Sequence, residues 1–418
     1  MIRVRCLESL DEAAPLRDAA DALNRASPRP DPFSTFAHYE ALCRLLPSPG
    51  TDPRLWLLLA FRGDTLVGHL ALRRDTQRLF GVPVDTLGLL AASDGDRPPV
   101  VARAEDLAEV SAAIWQHLLG RAGEWSLLVL HQQDRDSALW PAPPGVDLGG
   151  HRVREWPTLE NCTVTVKWPT LGDYVASLAR KFRANLRRQL HLLLAAGSVE
   201  LLASADAAAA PALLALYQAV ERRSWKAQAG VPGAGDALLR AAEPMRLSIL
   251  VLLLDGRPLA GLIVGAYARV LHALHIVHDE SRGQLGAGSV MLMLGMREAI
   301  DGGALAFNLR SGFGYYKTRW GAEVRPTRSV QVYRRGSLPD WHRRLGDLRR
   351  RLGAALVPAP VFNPVRRASR GESLAPAPAA DEMAAWTAWA AQARSVPGTS
   401  LAGEALRAVL PLRPEPSR

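Results

Sequence analysis

Three glycines within six residues precede an amphipathic run of methionine and leucine. They are Gly283, Gly286 and Gly288, in the sequence RGQLGAGSVML at 282–292. Glycines this close cost backbone entropy, so they usually mark a place where another group approaches the main chain. A strand, a glycine turn and a helix present unpaired N–H groups and the positive end of a helix dipole to one point. The segment is therefore typical of a phosphate-binding turn, and we expect a pyrophosphate as its ligand.

Two nucleotide-binding motifs are excluded by the spacing. A Rossmann fingerprint requires G-x-G-x-x-G after the first strand of a βαβ unit, and a Walker loop requires Gly-Lys-Ser/Thr after its glycines. The chain has neither around 282–292. The glycines also follow a predicted antiparallel meander, which is the wrong context for the parallel nucleotide-binding folds.

Hydrophobic periodicity predicts the elements that position this segment. Apolar runs at 247–254, 259–268 and 270–278 predict three strands, followed by a helix to Ile300 and a strand at 304–310. A long basic helix is predicted over 171–197, and further helices over 212–225 and 236–242. The basic side chains of the long helix lie off its buried stripe; they are Arg180, Lys181, Arg183, Arg187 and Arg188. This region is predicted to be a mixed α/β unit.

The rest of the chain divides into two further regions. Helices are predicted near 10–26, 36–46 and 107–122, strands at 54–63, 65–75 and 126–132, and a Pro-rich linker at 140–150. We therefore expect a first half at 1–155, a second half at 156–336 and an Arg/Ala/Pro-rich, partly ordered helical tail at 337–418. After residue 340 the tail has twelve arginines against six acidic residues. A contact with a membrane surface or a partner is one interpretation, and a poorly packed tail is the other.

Composition favours a globular protein of the cytoplasm. The chain has 418 residues, 48% of them hydrophobic, and no apolar run near its first residues that would predict a secretory signal. Cys6, Cys43 and Cys162 have no metal-like spacing, which argues against a structural zinc. The net charge of +10 is carried almost wholly by arginine. No nucleic-acid motif accompanies it, so no nucleic-acid partner is expected.

A metal site and a serine nucleophile are not expected. His272, His275 and His278 share one predicted strand, where side chains alternate, so His275 is predicted to face away from the other two. His272 and His278 would be about 20 Å apart, and the three could not share one metal ion. Serines 248, 289 and 311 lack a G-x-S-x-G context, which argues against a hydrolase.

Seven segments, taken in order, carry a family resemblance. They are DPFSTFAHYEAL, LGLLAASDGDRPPVVA, LARKFRANLRRQLHLLLAAG, ERRSWK, LDGRPLAGLIVG, HDESRGQLGAGSVML and GFGYYKTRWGAE. Together they resemble the CelD-like acyltransferases of the cellulose and exopolysaccharide biosynthesis type, a branch of the GNAT superfamily similar to the FemABX peptidoglycan aminoacyltransferases. The resemblance extends over residues 1 to about 335.

The resemblance implies an α/β (α+β) fold of two tandem GNAT-like halves with mixed, mostly antiparallel sheets. It also implies that the second half binds the acyl donor, acetyl-CoA or another acyl-CoA, and that the first half supports an acceptor cleft. The family's donor loop, Q/R-x-x-G-x-G/A, matches at Gly286 and Gly288, while its Q/R position falls on Gly283. The donor-binding residues implied are Arg282, Gly283, Gln284, Gly286, Ala287, Gly288 and Ser289.

The implied reaction sets what the site must contain. An amine or hydroxyl attacks the thioester directly, so the site needs a base, a main-chain N–H for the oxyanion and an acid for the leaving thiolate. Asp279 or Glu280 is the candidate base, and Tyr315 or Tyr316 the candidate acid; turn carboxylates and packed aromatics are the alternatives. Candidate acceptor-binding residues are Lys317, Arg183, Arg187, His278 and Asn308. Asn308 stands where the family usually has Asp, which places the usual chemistry in doubt.

The expected function is therefore acyl-CoA-dependent N-acyltransfer, most simply acetyl transfer, to an amine of a sugar or cell-envelope precursor. A hydroxyl acceptor is the less favoured form. FemABX-like aminoacyl transfer from tRNA is one alternative. The other is a non-catalytic component of a polysaccharide synthase assembly, which Asn308 and the displaced Q/R position favour.

Overall fold

The computed structural model describes residues 1–45, 54–91, 98–228, 244–311, 315–356, 380–397 and 400–402. The chain forms two compact units. Unit 1 contains Met1–Asn161 and Arg325–Gly371, and unit 2 contains Cys162–Val324 and Glu372–Arg418.

The helices and strands are numbered here along the chain. The helices are α1 Leu10–Ala13, α2 Arg17–Ala26, α3 Phe36–Leu45, α4 Leu107–Gly120, α5 Leu171–Ser177, α6 Arg180–Ala195, α7 Ala210–Glu221, α8 Trp225–Gln228, α9 Ala287–Asp301, α10 Tyr315–Arg319, α11 Leu338–Leu356 and α12 Ala380–Arg394. The strands are β1 Arg3–Leu7, β2 Arg54–Arg62, β3 Thr65–Leu79, β4 Val82–Leu89, β5 Val101–Ala102, β6 Leu127–Asp134, β7 His151–Pro157, β8 Asn161–Thr165, β9 Val199–Ser204, β10 Arg246–Leu254, β11 Arg257–Tyr267, β12 Val270–His278, β13 Ala306–Ser311, β14 Glu323–Arg325, β15 Thr327–Arg334 and β16 Ser400–Ala402.

The sheet of unit 1 has the order β1-β2-β3-β4-β6-β15-β7, with β5 beside β3. Its neighbours are antiparallel except for β4 and β6, which are parallel and pair from Thr86–Gly88 to Leu127–Val129. Helix α4 supplies the fully buried Ile114 and Trp115 to a core that includes Trp56 of β2. Strand β2 is buried at every position from Leu55 to Phe61, as its continuous apolar run requires of a strand covered on both faces.

The sheet of unit 2 has the order β14-β8-β13-β12-β11-β10-β9-β16. Strands β9 to β12 are antiparallel to one another, whereas β13 is parallel to β12. Helices α7 and α9 cover opposite faces. A β-carbon at Gly261 would touch Tyr217 of α7, whereas Gly295 of α9 packs on Leu262, the next residue of the same strand. The predicted fold class, α/β with mixed and mostly antiparallel sheets, is confirmed.

The longest apolar segment of unit 2 forms a β-hairpin of β10 and β11, two of the three strands predicted there. Asp255 and Gly256 join β10 to β11 with φ angles of +51° and +73°. Two consecutive left-handed residues form the turn type that matches the twist of paired strands, and Asp-Gly is a preferred sequence for it. Among the residues that the structure describes, no helix is long and apolar enough to span a membrane.

The long basic helix predicted over 171–197 is wrong, because the chain breaks between α5 and α6. Leu178 has extended angles, with φ −72° and ψ 158°. The guanidinium of Arg183 donates to the carbonyl of Leu178 at 2.9 Å and also to that of Ala176. These bonds satisfy carbonyls that the end of α5 leaves unpaired. Apolar periodicity continues across the break, so the pattern alone did not show it.

Two segments lie elsewhere than their sequence suggested. Strand β15 pairs with both β6 and β7 in unit 1, although residues up to 336 were predicted in the second half. The proposed linker at 140–150 belongs to unit 1, where Trp140 packs against Trp115 with ring centroids 6.1 Å apart.

The C-terminal region contributes to both units. Helix α11 belongs to unit 1. Helix α12 belongs to unit 2, where Trp386 is buried beneath the Arg223 guanidinium, 4.7 Å from the ring centroid. Strand β16 pairs with β9. The helix predicted over 236–242 and the Pro-rich part of the tail at 357–379 lie outside the described residues.

Candidate active site in unit 2

The central parallel strands of unit 2 pair over a short distance. Strand β12 pairs with β13 only from Val270–His272 to Ala306–Asn308. Yet β12 continues to His278 and β13 to Ser311. Within the described ranges, β12 beyond His272 and β13 beyond Asn308 have no strand partner on the sides that face each other. Unpaired edge N–H and C=O groups suit an extended ligand that adds to a sheet edge.

The glycine turn joins the end of β12 to α9. Gly286 has φ +67° and forms the N-terminal boundary of α9. A β-carbon at Gly286 would lie 2.5 Å from the Gln189 side chain of α6. A side chain is therefore excluded here by the backbone angle and by the close packing of α6.

The start of α9 is arranged to bind an anion. The N–H groups of Ser289 and Val290 donate to the Gly286 carbonyl at 2.9 and 3.3 Å, whereas those of Ala287 and Gly288 have no acceptor among the described residues. No side chain caps this helix. Two open N–H groups at the positive end of a 15-residue helix suit an anion such as a phosphate.

The other predicted donor-binding residues surround this helix start. Arg282, Gly283 and Gln284 lie in the 3₁₀ turn Glu280–Leu285 that leads into it. Gly283 and Gln284 are exposed, and Arg282 and Ser289 are half-buried. Their contact with a donor stays a prediction.

Asp279 is a structural ion-pair centre, which does not suit a general base. Its carboxylate is buried and accepts from Arg223 at 3.0 Å, from Arg257 at 2.9 Å and from the N–H of Ser281 at 3.0 Å. Burial opposes its ionisation, but these hydrogen bonds and the two guanidinium charges outweigh burial and hold the pKa below its ordinary value. A carboxylate with a lowered pKa and several donors is a poor proton acceptor.

Glu280 and His278 lie together beside the glycine turn. The His278 Nε2 and Glu280 Oε1 atoms are 3.1 Å apart, and both side chains are about one-third exposed. A β-carbon at Gly288 would lie 3.4 Å from Nδ1 of His278. Of the two predicted bases, Glu280 is therefore the one next to the anion site and open to solvent.

Lys317 is engaged by the main chain. Its buried ammonium donates to the carbonyls of Leu309, Arg310 and Ser311 at 2.9, 3.2 and 3.0 Å. All three of its donors are thereby used, so the geometry does not support the predicted role of Lys317 in acceptor binding. The adjacent Tyr316, one of the two candidate acids, is 47% exposed. The side chain of Tyr315 lies outside the described part of the structure.

Asn308 stabilises an unusual backbone conformation. Its Oδ1 accepts from the N–H of Arg310 at 2.8 Å, and Arg310 has φ +61°. Its Nδ2 is 3.5 Å from Nδ1 of His272. An aspartate could accept the same bond from Arg310, so this role does not distinguish Asn from Asp.

The two predicted arginines of α6 differ in their surroundings. Arg183 is engaged by the carbonyls at the end of α5, as described above. Arg187 is half-buried, and its Nε has no partner among the described residues. Arg187 thus keeps the capacity for a further contact, whereas Arg183 has a structural role.

The predicted arrangement of the strand histidines is wrong. A bulge opposite Ile263 and Val264 leaves Leu274 without a partner. His272 then pairs with Gly265 and His275 with Ile263, while His278 pairs with Ala260. Directly paired residues point to the same face, so His272 and His275 share the α7 face and His278 faces α9. One inserted residue reversed the alternation.

The α7 face carries a polar cluster that the sequence did not reveal. The Tyr217 hydroxyl is 2.5 Å from Nδ1 of His275, and Glu221 Oε1 is 3.7 Å from the same nitrogen. His275 belongs to the part of β12 beyond its last pair with β13. We name Tyr217, Glu221, His275 and the nearby Lys226 the polar cluster. A usable signal was present: Tyr217 and Glu221 are one turn apart in the apolar stripe of α7.

Two groups of the polar cluster, His275 and Lys226, have lowered pKa values. Burial, with the charges of Lys226 and Arg310, lowers the pKa of His275 to about 3. Burial also lowers the pKa of Lys226 to about 8, although Glu221 opposes the shift. A lysine with a pKa near 8 exchanges a proton readily at neutral pH, as acid–base catalysis requires. In the described ranges, no three His, Cys, Asp or Glu side chains are grouped to hold a metal ion.

A comparison with known protein families matches part of the chain. Residues 180–318 match the acetyltransferase (GNAT) domain family, a range that contains the glycine turn and the polar cluster. GNAT domains use acyl-CoA, so the match supports a transferase. No protein with a curated description matches the chain.

One of the solved structures similar to this chain shares its fold, and two others are similar at lower scores. The crystal structure of FemX is similar with a TM-score of 0.52 and 10% identity, covering 75% of this chain and 95% of that one. A tandem GNAT protein from the clavulanic acid biosynthesis pathway has a TM-score of 0.44 and 13% identity, over 81% and 99% of the two chains. A GCN5-related N-acetyltransferase from Anabaena variabilis has a TM-score of 0.34 and 12% identity, over 79% and 72%.

Proposed function

We propose that this protein is an acyl-CoA-dependent N-acyltransferase whose donor binds in unit 2. One observation carries the proposal. The pairing of β12 with β13 ends at His272 and Asn308, and β12 then leads to the start of α9, where the N–H groups of Ala287 and Gly288 are open. The helix start suits the donor's pyrophosphate, and the unpaired strand edges suit the amides of its extended arm. The GNAT match over 180–318 supports the same assignment.

The polar cluster provides the proton chemistry. An amine acceptor arrives as an ammonium and must lose a proton before its nitrogen attacks the thioester carbonyl. Lys226 in its neutral form accepts that proton, because burial has lowered its pKa to about 8. An unpaired main-chain N–H of the β12 edge stabilises the oxyanion. The thiolate leaves as the new amide bond forms, and Tyr316, which is solvent-exposed, remains the proposed acid.

The acceptor follows from the resemblance to the CelD-like acyltransferases. We propose an amine of a sugar or cell-envelope precursor, with acetyl as the transferred group. The basic residues after position 340 would then serve a contact with a membrane surface or a polysaccharide synthase. These parts of the proposal rest on the resemblance alone.

FemABX-like transfer from a charged tRNA is the second candidate. The fold shared with FemX supports it, as does the basic surface of α6, in which Arg180, Lys181 and Arg188 are not part of the buried stripe. The two candidates predict different donors for the same unit, so one titration series separates them.

The test is calorimetric titration of the full chain with acetyl-CoA, longer acyl-CoAs and an aminoacyl-tRNA. We expect saturable acyl-CoA binding that the Gly288→Asp variant weakens at least about 100-fold, because a carboxylate at the helix start repels the pyrophosphate. The fold should tolerate this variant: its β-carbon meets only the His278 ring, at 3.4 Å, and an acidic residue in a first helical turn is favourable.

The control is Gly123→Asp, which adds the same charge at an exposed turn of unit 1 where a β-carbon meets nothing within 4 Å. It should bind acyl-CoA like the unchanged protein. Release of free thiol in the presence of a panel of amines then identifies the acceptor. Binding of aminoacyl-tRNA without acyl-CoA would favour the FemABX-like reaction. Binding of neither donor would favour the non-catalytic role and would refute the transferase.

A further inference from the structure

The acidic residues of helix α11 point toward the sheet of unit 1. Oδ1 of the buried Asp340 lies 3.3 Å from Nε of Arg152 in β7. Asp347 lies about two turns further along the helix, and its Oδ1 is 3.6 Å from a guanidinium nitrogen of Arg154 in the same strand. The two acidic residues of α11 are thus paired with arginines of β7.

The apolar residues of α11 are turned to solvent instead. Trp341, Leu345 and Leu348 are four and three residues apart, so they form one stripe along the helix. Their exposed fractions are 53%, 44% and 52%. An ordinary surface helix has the opposite arrangement, with its apolar stripe against the core. This stripe is therefore the side of α11 that a further partner would cover.

The hairpin turn between β3 and β4 adds exposed apolar residues beside this stripe. Phe80 and Val82 are 56% and 50% exposed, and the ring centroids of Phe80 and His342 of α11 are 5.0 Å apart. Phe80 and Gly81 have φ angles of +53° and +81°, in a turn that prefers Asn or Asp at its first position. We name the five exposed residues the apolar patch; they are Phe80, Val82, Trp341, Leu345 and Leu348.

Phe80 is unfavourable for the isolated fold. A bulky side chain in the left-handed region costs conformational free energy, and this one is exposed to solvent as well. Strained residues of this kind are concentrated where they serve a function. Contact with a partner would explain why an aromatic ring stands at the tip of this hairpin.

The charge around the apolar patch is positive. The sequence of α11 has five arginines and two aspartates, and both aspartates are already paired with β7. Arg335, just before the helix, and Arg78, in the hairpin, are exposed. An apolar surface surrounded by arginines is complementary to a membrane surface, which is anionic at its headgroups and apolar beneath them.

Two other partners are disfavoured by charge. In a two-fold dimer the apolar patch would meet its own copy, which would bring the arginines of two α11 helices together. The segment that follows α11, residues 357–379, has three arginines and one glutamate. It therefore does not complement the charge of α11 either.

We infer that the apolar patch docks the protein on an anionic phospholipid surface. Its aromatic and leucine side chains enter the boundary between headgroups and acyl chains, and the surrounding arginines contact lipid phosphates. Tryptophan suits that boundary, because its ring is largely apolar with one polar edge. Docking at this surface narrows the membrane contact proposed above to named residues. It does not rest on acyl transfer, because the whole patch belongs to unit 1.

Co-sedimentation of the full chain with phospholipid vesicles, without acyl-CoA, tests the docking. Vesicles of phosphatidylcholine with about one-third phosphatidylglycerol should bind at least about tenfold more tightly than vesicles of phosphatidylcholine alone. The Trp341→Ser/Leu348→Ser variant should weaken binding to the anionic vesicles by at least about tenfold, because it removes apolar contacts. It leaves the net charge unchanged, so a merely electrostatic adsorption of this basic chain would not respond to it.

The matched control is Trp225→Ser/Leu305→Ser in unit 2, where both side chains are 53% exposed. It should bind vesicles like the unchanged protein. Phe80→Asn should weaken vesicle binding and also raise the midpoint of thermal unfolding by about 2 °C, because Asn is preferred in a left-handed turn. Opposite effects on binding and stability are expected of a residue that is retained for contact with a partner.

The docking is refuted if the anionic vesicles do not bind, if both lipid compositions bind equally, or if the folded Trp341→Ser/Leu348→Ser variant binds as tightly as the unchanged protein. A dimer that this variant dissociates, without vesicle binding, would also overturn it and would assign the apolar patch to a second copy. Thermal unfolding shows whether each variant is folded. Acyl-CoA binding is measured separately, so the failure of either proposal leaves the other interpretable.

Discussion

The two units share a strand arrangement but differ at the helix that follows it. Each sheet has a parallel pair of three residues, β4 with β6 and β12 with β13. In unit 2 the following helix begins at Gly286, with open N–H groups. In unit 1 the residue before α4 is Asp106, whose carboxylate makes no capping hydrogen bond and accepts from Arg62 at 2.7 Å. A carboxylate beside a helix start repels a second anion. We therefore expect donor binding in unit 2 and not in unit 1.

A second comparison shows what the units have retained in common. Gln132 of β6 and Arg310 of β13 both lie just beyond the last parallel pair and both have positive φ, +49° and +61°. In each case a side-chain oxygen accepts from the backbone N–H of that residue and helps to hold its conformation: Ser329 Oγ for Gln132 and Asn308 Oδ1 for Arg310. A left-handed residue fixed in this way thus follows the short parallel pair in both units.

Removal of Asp279 in unit 2 should destabilise the protein more than removal of Asp106 in unit 1. Asp279→Ala in unit 2 would leave Arg223 and Arg257, with side chains only 17% and 12% exposed, without their shared partner. We expect a loss of about 3 kcal/mol in the free energy of unfolding. Asp106→Ala in unit 1 should cost less than about 1 kcal/mol, because Arg62 is 46% exposed and also pairs with Glu109. Thermal unfolding by calorimetry measures both; equal costs would contradict the buried ion-pair centre.

The pH dependence of the folding stability tests the ion pairs of Asp279 independently. Asp279 has a lowered pKa in the folded state, so its contribution to stability is complete above the ordinary Asp pKa and is lost as the pH falls through the lower, folded value. The difference in stability between the unchanged protein and Asp279→Asn should therefore shrink between neutral and strongly acidic pH. A difference that grows as the pH falls would have the wrong sign.

The polar cluster offers the next largest effect. Unit 1 also has a buried tyrosine–histidine pair, Tyr39 and His69, 3.4 Å apart. All four lysines of the chain, however, lie in unit 2. If neutral Lys226 is the base, kcat/KM for acyl transfer rises with pH up to about 8 and then levels. Lys226→Met should remove this rise and lower kcat/KM by about 100-fold.

Two controls separate proton transfer from local damage. Lys167, like Lys226, has its ammonium near a tryptophan ring, 5.4 Å from the Trp168 centroid, but is exposed. Lys167→Met should leave the pH profile unchanged. Lys226→Arg keeps the positive charge but not the titration, so it should be as inactive as Lys226→Met. A persistent rise near pH 8 in either Lys226 variant would assign the titration to another group.

Most of the secondary structure could be predicted from the sequence because its signals are local. Continuous apolar runs on either side of Asp255 and Gly256 identified β10 and β11, and the apolar run after the glycines identified α9. What failed depends on contacts distant in sequence. The break at Leu178 is stabilised by Arg183, and β15 joins the sheet of unit 1 by pairing with β6 and β7. Periodicity contains no information about either contact.

The candidate site was predicted in part for the same reason. Glycine spacing located the turn and its helix, since a left-handed residue and open N–H groups have a local sequence signature. The polar cluster was not found, because its alignment depends on a bulge at Leu274 that brings His275 to the face of α7. Asp279 and Lys317 were proposed for chemistry from their residue types. Their partners, two arginines and three carbonyls, are visible only in three dimensions.

Amide hydrogen exchange of the full chain, with and without saturating acetyl-CoA, tests the central claim most directly. The account predicts slower exchange at Ala287 and Gly288, whose N–H groups lack an acceptor without the donor, and along the open edge of β12. It predicts no change at the start of α4, residues 106–110, in unit 1. Slower exchange at the start of α4, or none at the start of α9, would contradict the assignment of donor binding to unit 2.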